Sequence, residues 1–420
     1  MQPALPESFL RYLPPWPLDR NVEEKRFFET TQRVCDPQET WRRFGGFREK
    51  AGITRLSDIT YLDCIGVPTY QVVRPTVDHY LENISVYNGK GLTKLQAKVS
   101  AMMEAFERFS GELHERPLLL SSLSRLSAEA RTISPQHLIL PEGESVHDEE
   151  PLEWVPGWDM MREEITWVPA CQAFCPYRPV HGGRFIPNFS NTNGLASGNT
   201  YGEAITHALY ELIERDAEST SWAARAAETI DLDSVHHPSL RDLIGKFEAA
   251  GICLTLKEVT SDIGIPVFMA AADEPATEDP VLLCYGMGCH LDPSIAAMRA
   301  ITEVAQSRCA VISGLRGDLD ELEWKRGLGY WELKRKFSFW FEPDSQKKDF
   351  RAVTSAARRN FVDDVGEILS RLRGRGFSSA VAVDLTHPEL PVPVVRAVVP
   401  AMEQSLESRR KGLRFKFPNR

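Results

Sequence analysis

Apolar residues recur at three- and four-residue spacing over three long stretches of the chain. The period predicts helices over about Lys94–Phe109, ending near Gly111, over Tyr201–Ala217 and over Pro293–Ile312. Shorter helices are predicted after Asp36-Pro37, where Asp36 can cap and Pro37 suits the first turn, and over Val365–Arg373. β-like runs stand at Thr69–Val73, stopped by Pro75, and at Ala380–Val383. Alternating strands are expected through 253–290, with turns at Gly264 and Glu274-Pro275. Residues 118–185 read as loops and short strands, and 320–360 as a charged, aromatic helical insertion. The mixture predicts an α+β or α/β fold with helices packed on mixed sheets.

The first two long helices echo each other. Aligning 91–108 with 198–215 pairs Gly91/Gly198, Thr93/Thr200, Ala97/Ala204, Ala101/Ala208, Glu104/Glu211, Glu107/Glu214 and Arg108/Arg215, seven identities in eighteen positions. Each copy is a glycine turn, a helix, then Glu-x-x-Glu-Arg, which indicates a duplicated βα unit.

The second helix carries Glu203, His207, Glu211 and Glu214 within an arc of about 80°. Carboxylates so close repel one another unless water screens them or a cation bridges them. A solvated acidic face is the plain alternative, but such faces usually interleave lysines, and this stripe has none. The first helix repeats the pair as Glu104 and Glu107 among Met102, Met103, Ala105 and Phe106, where a carboxylate is costly unless paired or metal-bound. The third helix sets Arg299, Glu303 and Gln306 on one stripe. Hard oxygen donors of this number suit Mg²⁺, which completes its shell with water and nucleotide phosphates. Arg215 and Arg299, with Arg108, have forked donors for phosphate oxygens. The turn Asn193–Thr200 opens the second helix with N–H groups that can meet an anion. His207 is read as a hydrogen-bond partner of a glutamate, and Trp154, Trp158, Trp167 and Trp222 as packing.

Composition narrows the classes. A net charge of −10 argues against nucleic-acid binding. The basic run at Arg409, Arg410, Lys411, Arg414, Lys416 and Arg420 is the exception, read as a solvated tail or a segment docking near an anion. The eight cysteines form no CxxC pair, so no structural zinc is expected. No apolar run is long enough to span a bilayer and no signal-peptide pattern stands at Met1–Leu18, so a cytoplasmic protein is expected. The 420 residues exceed one small core.

These motifs together resemble the YcaO family. The resemblance rests on Gly89-Lys90-Gly91 with Glu104, Glu107 and Arg108; on Asn193–Thr200 with Glu203, Glu211, Glu214 and Arg215; and on Arg299, Glu303, Gln306 and Arg308. It extends over 55–403, including Pro391, Pro393, Arg396, Pro400 and Glu403, leaving 1–54 as an N-terminal segment and 404–420 as a basic tail. It implies a YcaO-like fold around a central nucleotide site, with ATP and Mg²⁺ as cofactors. By motif position Glu104, Glu107, Glu211, Glu214 and Glu303 resemble the magnesium set. Asn199, Glu203, Arg215 and Arg299, with Arg33 and Thr40, resemble nucleotide contacts. The family implies phosphorylation of a peptide-backbone amide oxygen after a nucleophile attacks the carbonyl, giving an azoline from a neighbouring Cys, Ser or Thr, or a thioamide from sulfide. Azoline-forming members typically end in a proline-rich tail, whereas Arg414–Arg420 holds one proline. The stretch from Gly52 through Asp58, Asp63 and Gly66 to Pro68 resembles the subgroup that works beside a TfuA-type partner. Both points favour thioamidation, with cyclodehydration as the alternative and a non-catalytic ATP-binding accessory factor as the reading of another class. The resemblance also implies a homodimer.

Overall fold

A computed structural model of the chain describes residues 7–75, 85–314 and 319–404. The basic stretch Arg409–Arg420 therefore lies outside the described residues. In chain order the strands are β1 (Arg55–Asp58), β2 (Thr69–Val73), β3 (Val86–Lys90), β4 (Leu119–Ser122), β5 (Pro151–Asp159), β6 (Glu164–Pro169), β7 (Leu195–Ser197), β8 (Glu228–Asp231), β9 (Cys253–Glu258), β10 (Val267–Asp273), β11 (Cys284–Cys289), β12 (Lys348–Asp349), β13 (Val381–Asp384) and β14 (Val394–Val398). The principal helices are α1 (Pro37–Phe44), α2 (Lys94–Gly111), α3 (Tyr201–Ala224), α4 (Pro238–Ala249), α5 (Pro293–Ser313) and α6 (Phe361–Gly374). The fold is mixed α+β. Among the described residues no helix is long and apolar enough to cross a membrane.

The residues form two compact units, each assembled from separated stretches of chain. One takes its residues from 1–25, 106–219 and 358–420, the other from 26–105 and 220–357.

The unit of 26–105 and 220–357 holds two sheets. One is the antiparallel trio β1-β2-β3, and the other runs β11-β10-β9-β8-β12. Helix α5 lies on β11, burying Ala296, Ala300, Ile301 and Val304 beside Phe247 and Phe268. Glycine sets the separation. A Cβ on Gly288 would stand 2.0 Å from the Ala296 carbonyl, and one on Gly89 2.0 Å from the Ala101 nitrogen. Both glycines let a helix backbone approach a strand more closely than any side chain permits.

That approach exposes a third copy of the repeat. Gly89, Ala97, Ala101 and Glu104 recur at the same intervals as Ala196, Ala204, Ala208 and Glu211, and again as Gly288, Ala296, Ala300 and Glu303. Each set runs from a strand into the long helix that follows it: β3–α2, β7–α3 and β11–α5. The duplication read from the sequence is a triplication.

The unit of 1–25, 106–219 and 358–420 is built on one antiparallel sheet, β4-β5-β13-β14-β7, with β6 on the other edge of β5. Its core includes Trp154, Trp167, Phe189 and Leu152. The sequence reads this region as short strands, but β5 is nine residues long. Pro156 and Gly157 look like breakers, yet Gly157 sits in the strand because its Cβ would meet Val381 Cγ1 at 2.5 Å. Helix α6 begins four residues ahead of its apolar period, because the Asn360 side chain caps the Asp363 nitrogen at 2.8 Å. Helix α1 starts as predicted, with Asp36 Oδ1 accepting from the Glu39 nitrogen at 2.8 Å.

Candidate nucleotide and metal site

The two units contribute separately to the candidate set. In the unit of 1–25, 106–219 and 358–420, Asn199 and Glu203 form a buried pair, with Asn199 Nδ2 donating to Glu203 Oε1 at 2.9 Å. Glu214 and Glu107 are also buried, only 3% and 7% exposed, which is too deep for a solvated acidic face. The Ser197 nitrogen donates to Glu107 Oε2 at 3.1 Å. Arg215 reaches Glu218 at 3.2 Å and Glu214 at 3.5 Å, and Glu211 lies half-buried one turn before Glu214.

The turn Asn193–Thr200 opens α3. The N–H groups of this turn can meet an anion, and at the first turn of α3 the anion present is the chain's own Glu23. Glu23 accepts from the Gly202 nitrogen at 3.0 Å and from the Thr200 hydroxyl. The absence of a side chain at Gly202 makes room for it, since a Cβ there would stand 2.5 Å from Glu23 Oε2 and push the carboxylate away. The protein's own carboxylate thus answers the helix dipole. Burial raises the Glu23 pKa against the opposing pull of its Thr200 and Gly202 hydrogen bonds, and the charge of Glu203 adds to the rise. No local signal in the sequence marks Glu23 for this position.

In the unit of 26–105 and 220–357, Glu104 lies half-buried on α2, one turn before Glu107 of the same helix. Glu303 on α5 meets the Lys90 ammonium at the end of β3, and its other oxygen lies 3.4 Å from the Met287 nitrogen. Arg299 is one turn earlier on α5, and its Nε is buried with no hydrogen-bond partner. Such a donor fits an anionic oxygen. Arg33 donates to the Gln32 carbonyl at 3.0 Å. Thr40 is buried, and its hydroxyl donates to the Asp36 carbonyl at 3.1 Å within its own helix turn. Lys90 stands out in the sequence only as a basic residue between two glycines.

Among the described residues no three His, Cys, Asp or Glu side chains form a ready metal cage. Mg²⁺ does not require one, because it takes one or two carboxylates and fills its shell from phosphates and water. The residues present suit such a group. They supply hard carboxylate oxygens, a buried guanidinium nitrogen lacking an acceptor and a lysine balancing Glu303.

A family model described as YcaO cyclodehydratase, ATP- and Mg²⁺-binding, matches residues 88–403. The chain belongs to the YcaO family. The cofactors of that family are ATP and Mg²⁺. An uncharacterised protein of Methanothermobacter thermautotrophicus is 39% identical over 382 residues, covering 90% of this chain and 97% of that protein. A Rhizobium leguminosarum bv. trifolii protein encoded in the tfuA 3′ region is 31% identical, covering 88% of each chain. Among solved structures, YcaO from Methanopyrus kandleri bound with AMPPCP and Mg²⁺ superposes with a TM-score of 0.73 at 27% identity, covering 91% of this chain and 95% of that one. A heterocyclase in complex with substrate and cofactor reaches 0.78 at 23% identity and shares the fold, covering 95% of this chain and 55% of that one.

Proposed function

We propose that this YcaO protein uses ATP and Mg²⁺ to activate a backbone amide of a peptide or protein, and that sulfide converts the amide to a thioamide. One observation carries the reading: the three βα units each put a glutamate at the same position, Glu104, Glu211 and Glu303, fifteen residues beyond the strand residue that packs on the helix. When bound, ATP supplies the phosphoryl group that turns the amide oxygen into a leaving phosphate, and Mg²⁺ neutralises the phosphate charge. Sulfide adds to the carbonyl carbon, the former amide oxygen departs with the phosphoryl group as phosphate, ADP remains, and C=O has become C=S.

The chain's residues have distinct tasks. Glu104, Glu107, Glu211, Glu214 and Glu303 hold the metal. Asn199 and Glu203, with Arg33 and Thr40, contact the nucleotide. Arg215 and Arg299 steady phosphate oxygens, where charge develops during transfer. The relative encoded in a tfuA region supports a TfuA-like partner. Azoline formation is the second reading, supported by the cyclodehydratase description of the family model. Homodimer assembly is part of the proposal and is tested by light scattering.

Incubation with ATP, Mg²⁺, sulfide, a TfuA-like partner and the candidate peptide separates the outcomes by mass spectrometry. Replacement of oxygen by sulfur supports thioamidation, and loss of water means azoline formation. If Glu211→Gln and Glu303→Gln abolish nucleotide binding while cellular modification continues, this chain does not catalyse the modification.

A further inference from the structure

Lys90 occupies the place a cation would take at Glu303, and the contact is open to solvent. Two buried pairs are closed to solvent, Lys25–Asp364 with both side chains at 0% exposure and Arg308–Asp63 at 1% and 3%, whereas Lys334–Asp273 is partly open at 21% and 9%. The Lys90 and Glu303 side chains are 17% and 24% exposed, so water and ions can reach them. The backbone of Lys90, by contrast, is clamped. A Cβ on Gly89 would lie 2.0 Å from the Ala101 nitrogen, and one on Gly91 2.5 Å from Gln96 Cβ. The end of β3 is therefore fixed against the start of α2, while the four-carbon stem of Lys90 can rotate. One turn before Glu303, Arg299 Nε is buried without an acceptor. Lys90, Arg299 and Glu303 together carry one net positive charge. That balance suits a metal accompanied by phosphates better than a bare metal ion.

We propose that Lys90 is an exchangeable counter-ion that makes metal binding at Glu303 depend on the nucleotide. A divalent cation arriving alone must displace the ammonium from Glu303 and leave it without an anionic partner. A cation arriving with a triphosphate offers the ammonium a phosphate oxygen in exchange. Lys90 thus belongs to the binding machinery twice, as a competitor of free metal and as a ligand of the nucleotide. The inference rests on the proposed role of Glu303 in holding Mg²⁺.

The test uses the full chain with Mn²⁺ as a paramagnetic probe, titrated with and without AMPPCP and read by electron paramagnetic resonance. For Lys90→Met the two affinities are expected to move in opposite directions: Mn²⁺ alone binds about tenfold tighter, and Mn²⁺–AMPPCP about tenfold weaker. Lys90→Arg keeps the charge and is expected to hold free Mn²⁺ near the wild-type affinity. It also serves as the folding control, with thermal unfolding followed for both variants. Unchanged Mn²⁺ affinity in Lys90→Met, or equal weakening of both titrations, makes Lys90 a structural strut and overturns the inference alone. If wild-type protein binds no Mn²⁺–AMPPCP, or Glu303→Gln binds it as well as wild type, the assignment of Glu303 to the metal falls too.

Discussion

The Ser197 backbone nitrogen donates to Glu107 Oε2 at 3.1 Å, so the last residue of β7 is tied to the acidic pair of α2. Glu107→Gln keeps an acceptor for that N–H and removes only the charge. The fold is expected to persist, while binding of Mg²⁺–AMPPCP falls by about tenfold to a hundredfold in calorimetric titration. Wild-type affinity in this variant would reduce Glu107 to a cap for Ser197.

His114 gives the protein a pH signature. Burial pulls its pKa down to about 4, and the neighbouring charge of Arg116 pulls the same way. Its Nδ1 lies 3.2 Å from the Glu112 carbonyl, and its ring stands 4.9 Å from that of His387. The unfolded chain takes up this proton nearer 6.5, so between 6.5 and 4 the unfolded state holds more protons than the folded one. The contribution is complete above that window and is lost as pH falls through it. The melting temperature of His114→Gln is therefore expected to decline less steeply than wild type over the same interval.

Arg308 is a strut of the unit of 26–105 and 220–357. Its Nε and Nη2 meet the two oxygens of Asp63 at 2.9 and 3.0 Å, and Nη2 also meets Glu274 at 2.7 Å. Arg308→Met leaves a buried carboxylate uncompensated, an effect of roughly 3–5 kcal/mol. The urea midpoint is expected to fall clearly. Arg308→Lys restores only part, because an ammonium lacks the fork.

Two glycine substitutions should act with opposite signs. Gly288→Ala puts a methyl against the Ala296 carbonyl, which cannot step aside, and is expected to cost about 1–3 kcal/mol or more. Gly245 lies on α4 with nothing within 4 Å of a new Cβ. Gly245→Ala should therefore raise stability by about 0.4–1 kcal/mol. Thermal unfolding of the pair checks both.

The legible parts of this fold are those whose signals are local. Helices α2, α3 and α5 declare themselves through a single apolar face, and α1 through Asp36-Pro37. The echo between α2 and α3 survives in charged residues, which are easily matched. The third copy keeps mainly glycine, alanine and one glutamate, and small residues acquire meaning only when a strand is seen against them. Strand β5 hides behind Pro156 and Gly157, both placed by partners distant in sequence. Helix α4 falls in a stretch where no element was expected. In the candidate site, the glutamates are visible from their stripe, but Glu23 and Lys90 are not. Glu23 meets Gly202 across 179 positions, and Lys90 meets Glu303 across 213, distances at which no periodicity reports.

The order of strands around β13 and β14 bears on how the molecule is made. They are the last two described strands to leave the ribosome, yet they lie between β5 and β7 in their sheet. From the synthesis of Ser197 until that of Val381, β5 and β7 lack the strands that join them, and their peptide groups on that side are unmet. That half of the molecule can close only after synthesis has passed Val398.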